Sequence, residues 1–185
     1  MSRTHLCFRP QLETLEHRLN PGGGTPAATL GPALVASPQP EMVSTTRPVV
    51  DFATHTIVFG ESTVTRTADG VTVHLSVSGL PPGAYTLWMA VDAPGLPRAA
   101  GRLAGHVVGE GGHLTFSAHL TVGDVVGDPS IPGLAGTLQD PLHATITLVV
   151  RSHGPAEPGR IYEQTHTNQP GVAVNFLISI HAPPS

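Results

Sequence analysis

Lysine is absent from this 185-residue chain, so all nine basic residues are arginine, and thirteen acids bring the formal net charge to −4. No basic stripe exists to make the electrostatic footprint of nucleic-acid binding, and nucleic acid is not expected as a partner. There is one cysteine, Cys7. An internal disulfide, a C-x-x-C redox pair and a cysteine zinc cage are therefore excluded. No apolar run approaches the roughly 20 residues of a membrane span, so no transmembrane segment is expected. A G-x-S-x-G elbow, an H-E-x-x-H helix and a phosphate-cradling glycine loop followed by a helix are all missing. Charged residues make up only 12% of the chain, against 21 glycines and 19 prolines, a balance that points to strands punctuated by turns. The length accommodates one domain with a core, plus terminal segments.

The first segment, residues 1–22, lacks the continuous apolar stretch of an ordinary secretory signal. Its pattern is that of a short amphipathic helix. Pro10 suits the first turn, Leu12, Leu15 and Leu19 share a side, Glu13 and Glu16 lie early, Arg18 lies late, and Asn20-Pro21-Gly22 stops it. A helix of roughly ten residues needs something to dock against. The string Arg9-Pro10-x-Leu12-Glu13-x-Leu15-Glu16-x-Arg18-x-x-Pro21 resembles the LE-x-LE-x-R-x-x-P segment that opens many exported and cell-surface proteins of planctomycete bacteria. The resemblance implies export or surface placement by a non-standard signal, and nothing about chemistry. Residues 23–48 follow, rich in Pro, Gly, Ala, Ser and Thr, and read as a flexible linker that cannot bury enough apolar surface to offset the entropy of ordering it.

From residue 49 to 182 the pattern is that of one β domain. Val71, Val73, Leu75 and Val77 alternate with Thr72, His74, Ser76 and Ser78, and Leu114, Phe116, Ala118, Leu120 and Val122 alternate with His113, Thr115, Ser117, His119 and Thr121. Residues 103–123 read as two strands paired through the Glu110-Gly111-Gly112 turn. Residues 84–92 are apolar on both faces, which suits a strand covered on both sides. Residues 143–151 turn Ala144, Ile146, Leu148 and Val150 inward, residues 160–164 suggest a short strand, and residues 172–180 place Val174, Phe176, Ile178 and Ile180 on one side. About eight short strands without a helical period argue an all-β fold. The expectation is an antiparallel β-sandwich, Greek-key or immunoglobulin-like, or a related barrel.

Three segments of this domain, Gly79 to Gly83 (GLPPG), Gly105 to Gly109 (GHVVG) and His153 to Thr167 (HGP-x-x-PG-x-x-x-EQ-x-HT), are similar to those of a set of uncharacterised secreted bacterial proteins. Members of that set carry extra cysteines around the loops, and this chain departs from them in having none there. The likeness implies the same fold and no activity.

Eleven histidines are the compositional oddity. His113 and His119 sit about 20 Å apart along one strand and cannot share an ion. His74, His119, His143 and His181 alternate with apolar neighbours and read as histidines of a solvated sheet face. His106 lies between Ala104 and Val108 on an apolar face, where it is expected to be buried or to line a cavity. His153 and His166 flank a loop with Glu163. Folding of that loop over the end of the sheet would bring His106, His153, His166 and Glu163 together, a donor set suited to zinc or copper. The functional expectation is a non-catalytic exported or cell-surface module whose ligand is a protein or a surface polymer. Two alternatives stand beside it: a small His-ligated metalloprotein with redox or hydrolytic activity, and a subunit that pairs through a sheet edge.

Overall fold

The computed structural model describes residues 41–127, 136–166 and 174–184. The helix expected near the N-terminus and most of the linker lie outside the described residues. Eight strands form one antiparallel sheet that curls into a nearly closed barrel. They are β1 (Met42–Asp51), β2 (Ile57–Thr67), β3 (Gly70–Val77), β4 (Gly83–Asp92), β5 (Ala99–Val108), β6 (Leu114–Thr121), β9 (Thr145–Ser152) and β10 (Val174–His181), in the order β5-β4-β9-β10-β1-β2-β3-β6. Between β6 and β9 a small ribbon pairs β7 (Val125–Val126) with β8 (Gly136–Thr137), and one short helix, α1 (Ile161–His166), precedes β10. The all-β expectation holds in its barrel form.

Alternation drives the inner face. Val71, Val73, Leu75 and Val77 of β3 and Leu114, Phe116 and Leu120 of β6 are buried, as are Ile146, Leu148 and Val150 of β9. Burying each such side chain contributes about 1.5–3 kcal/mol. In β4 both faces are covered: Tyr85, Leu87, Met89 and Val91 enter the core, while Thr86 and Trp88 are buried on the opposite side.

Five expectations are corrected. β1 begins at Met42, inside the stretch read as linker. Residues 160–164 are not a strand, because Ile161–His166 is helical. β5 and β6 do not pair with each other although one turn joins them. β5 pairs with β4 and β6 with β3, so the two strands form the opposite ends of the sheet. The turn still needs its glycine, since Gly112 has φ 66° and its carbonyl accepts from Leu80 N at 3.0 Å. That turn is held by the Gly79–Gly83 segment, and a tight turn alone does not set a register when each arm has a better partner elsewhere.

Phe176 packs on the core as expected, but the pairing of β10 with β9 shifts register between Asn175 and Leu177, and from Leu177 onward the parity is the reverse of expectation. Leu177, Ser179 and His181 are buried, whereas Val174 and Ile180 are 48% and 55% exposed. His181, read as solvated, is therefore an interior residue, because hydrogen-bond partners from β1 and β2 wait for it inside. Finally, His106 is exposed. It does share the inward parity of Ala104, pairing with Tyr85, but β5 is an end strand, and the inward side of an end strand is open where the barrel fails to close.

Candidate functional site

The four residues expected to ligate a metal are separated by the sheet itself. Thr86 and Gly105 face each other across β4 and β5 on the outer side. Thr86 Oγ1 lies 2.8 Å from His153 Nε2 and accepts from Trp88 Nε1 at 3.0 Å. A Cβ on Gly105 would meet the carbonyl oxygen of Thr165 at 2.1 Å, so α1 rests directly on that glycine. His153 and α1 therefore belong to the outer side of the sheet, and His106, one residue beyond Gly105, points to the inner side. The His106 ring instead meets Phe116 edge-on, with centroids 6.3 Å apart. His166 stacks on Tyr162 at 4.1 Å, its Nδ1 within 2.9 Å of Thr165 Oγ1. Glu163 is paired with Arg160 at 3.1 Å. Among the described residues no group of three or more His, Cys, Asp or Glu side chains could hold an ion.

The loop carrying these residues has a structural role. Buried Gln164 accepts from Glu157 N at 3.0 Å and donates to the carbonyls of Pro155 (3.0 Å) and His153 (3.4 Å). Arg102 donates to Thr165 O at 3.3 Å. Arg151 lies over the Trp88 ring at 5.1 Å, and burial lowers its pKa from the ordinary arginine value. Gln164 of the segment's EQ pair thus supplies the clamp that holds this loop over the outer side of β4.

A second constellation was not legible in the sequence. Pro48 has no N–H to give a ladder, and the pairing of β1 with β2 shifts register between Pro48 and Val50. Among the described residues β1 pairs with β10 only at Val50–Ile178 and Asp51–Leu177. Beyond that point Thr45, Ser62, Ser179, His181 and Arg66 fill the breach with side-chain hydrogen bonds. Arg66 Nη1 donates to Thr45 Oγ1 at 3.2 Å, and Thr45 Oγ1 lies 2.9 Å from His181 Nδ1. His181 Nε2 lies 2.9 Å from Ser62 Oγ, which donates to Ser179 Oγ at 2.7 Å. Arg66 Nη2 closes the chain on His181 O at 2.8 Å.

Because Ser62 gives its hydrogen to Ser179, His181 is the donor at Ser62 and the acceptor at Thr45. In that direction the imidazole is not a base toward the serine. Ser62 and His181 are both 0% exposed, so the pair locks strands together. Burial first, then the charges of Arg66 and Arg47, push the His181 pKa down to about 4, which keeps it neutral at pH 7. Burial also lowers the Arg66 pKa.

Over this breach the surface is concave. A hollow of roughly 310 Å³ presents Arg47, His55 and Ser179 beside an apolar wall of Pro48, Val50, Ile178 and Ile180. Arg47 carries inward parity, opposite Ser62, yet is exposed.

The outer face of β1, β2, β3 and β6 is different again. Registers place Ser44–Thr65–Thr72–His119 in one row and Thr46–Thr63–His74–Ser117 in the next. Hydrogen bonds run along these rows and beyond them: Ser44–Thr65 at 3.0 Å, Thr46–Thr63 at 2.9 Å, Thr72–His119 at 2.9 Å and Ser78–His113 at 3.0 Å. The result is a grid of hydroxyls and imidazoles about 4.8 Å apart from strand to strand, in rows about 6.6 Å apart along the strands. No family model, no curated protein and no solved structure matches this chain.

Proposed function

We propose that the chain is an exported or cell-surface module that works by binding a protein or a surface polymer, not by catalysis. The observation that carries this reading is the hydroxyl and imidazole grid over β1, β2, β3 and β6, in which cross-strand neighbours are joined in hydrogen-bonded pairs. Ordered donors and acceptors on a rigid sheet lose little entropy when they meet a polar partner. The resemblance of residues 9–21 to planctomycete export segments supports placement outside the cell.

Two arms test the reading. Co-sedimentation of the purified chain with cell envelopes is expected for the natural sequence and lost in a T63E/T72E variant; equal sedimentation of both, or of neither, overturns the binding reading. Fractionation of cells expressing a chain without residues 1–22 is expected to find it retained inside, and unchanged export overturns the placement. A second reading, pairing with another chain through a sheet edge, draws on β5 and β6, which among the described residues share no ladder with each other.

A further inference from the structure

We infer that the hollow between β1 and β10 is a binding site for an organic monocarboxylate bearing a short apolar chain. Its place follows from the breach: among the described residues the ladder between β1 and β10 is limited to Val50–Ile178 and Asp51–Leu177, and Pro48 beside it has no N–H to extend one. Its chemistry follows from the two halves of its lining. Arg47 offers a planar fork matched to a carboxylate, with His55 beside it. Val50, Ile178 and Ile180 offer the apolar wall, and Ile180 is 55% exposed.

The breach next to the hollow is positive as well. Arg66 is fully buried, and among the described residues it has no carboxylate partner; its hydrogen bonds go to a hydroxyl and two backbone carbonyls, and its Nε has none. The nearest acid on β1, Asp51, is turned into its own loop, where Oδ1 accepts from Ala53 N, Thr54 N and Thr54 Oγ1. Glu61 stands across from Pro48 on β2, yet among the described residues neither Arg47 nor Arg66 is in an ion pair, so an anion entering the hollow breaks none. A phosphate would gain nothing from the apolar wall, and a neutral alkyl chain would gain nothing from Arg47. A carboxylate with a tail uses both. At roughly 310 Å³ the hollow is at the small end of ligand sites, which suits a chain of several carbons.

The experiment is a titration of the isotope-labelled full chain, followed by amide chemical shifts, with octanoate, octanol and inorganic phosphate as probes. Octanoate is expected to give saturable shifts centred on Val50, Ile178, Ser179 and Ile180, with octanol and phosphate at least fivefold weaker. Arg47→Gln, at an exposed position, is expected to weaken octanoate about fivefold, the size of a partly solvated charge pair, and to leave octanol unchanged. Ile180→Glu is expected to abolish octanoate binding while the remaining spectrum stays dispersed. No saturable binding, equal affinity for octanol and octanoate, shifts centred elsewhere, or an R47Q variant that binds as the natural chain does would each overturn the site. The outcome does not depend on export or on the grid, so failure here leaves the surface-module reading untouched.

Discussion

Ser62, Ser179 and His181 occupy interior positions where apolar side chains are the rule, and they are tolerated because each finds a partner. The cost of keeping an imidazole there shows in its titration. An unfolded histidine takes a proton near pH 6.5, while His181 in the folded barrel resists protonation down to about 4. Above pH 6.5 both states are neutral and the network contributes fully. As pH falls from 6.5 to 4 the unfolded chain binds a proton that the folded chain refuses, so stability declines by on the order of 3 kcal/mol and then levels off. Denaturant unfolding at a series of pH values is expected to show this slope, and a flat profile between pH 6.5 and 4 would remove the argument. Asp51, whose carboxyl is held below its usual range by hydrogen bonds from Thr54, acts in the same direction but only in a window below 3.8. Arg66→Met removes one of the two charges acting on His181 and is expected to raise its pKa toward the ordinary value, read directly from imidazole resonances. Since a buried ion replaced by a hydrophobe of similar volume is often neutral or stabilising, folding is expected to survive that change.

At the level of elements, α1 has only six residues, too few to be stable alone, and it is held by contacts that two substitutions separate. Gln164→Ala removes the acceptor of Glu157 N and the donor to Pro155 O, and is expected to cost about 2 kcal/mol and to speed proteolysis within residues 153–166. Gly105→Ala drives a methyl into the Thr165 carbonyl and is expected to free α1 while leaving the barrel's strand content unchanged by circular dichroism. The same elements show what the sequence discloses. β3 and β6 were legible because their outer faces are unmistakably polar, so period 2 had a single interpretation. In β10 both faces carry aliphatics, and hydrophobicity alone chose the exposed one. The true inner face depends on Ser62 and Thr45, more than a hundred residues away in sequence. The turn at residues 109–113 was legible as a turn, yet pairing is a non-local property and its arms went to other strands. The breach needed Pro48 on β1 and the polar Ser179 and His181 on β10 to come near each other, a coincidence no local pattern encodes; a proline inside an alternating run was its one available signal.

At the scale of the barrel, β5 and β6 close the sheet by packing, and among the described residues they share no ladder. β5 and β6 meet through His106 against Phe116, and near the far end of β5 the chain after β7 makes a single parallel bridge, Ala100 to Gly127. The interior strands β9 and β4, by contrast, are laddered on both sides. Amide groups of a barrel exchange with solvent through openings whose free energy tracks local pairing and burial. Native-state hydrogen exchange is therefore expected to rank β4 and β9 slowest, with a run of alternate fast amides along residues 103–107 and 115–119, those whose N–H points into the seam. The substitution Phe116→Ala removes the aromatic contact across the seam and is expected to accelerate exchange on β5 and β6 first, before β9 responds. If instead the residues of β5 and β6 are protected uniformly and at the level of β9, the seam is sealed by hydrogen bonds, and the sheet-edge reading loses its physical basis.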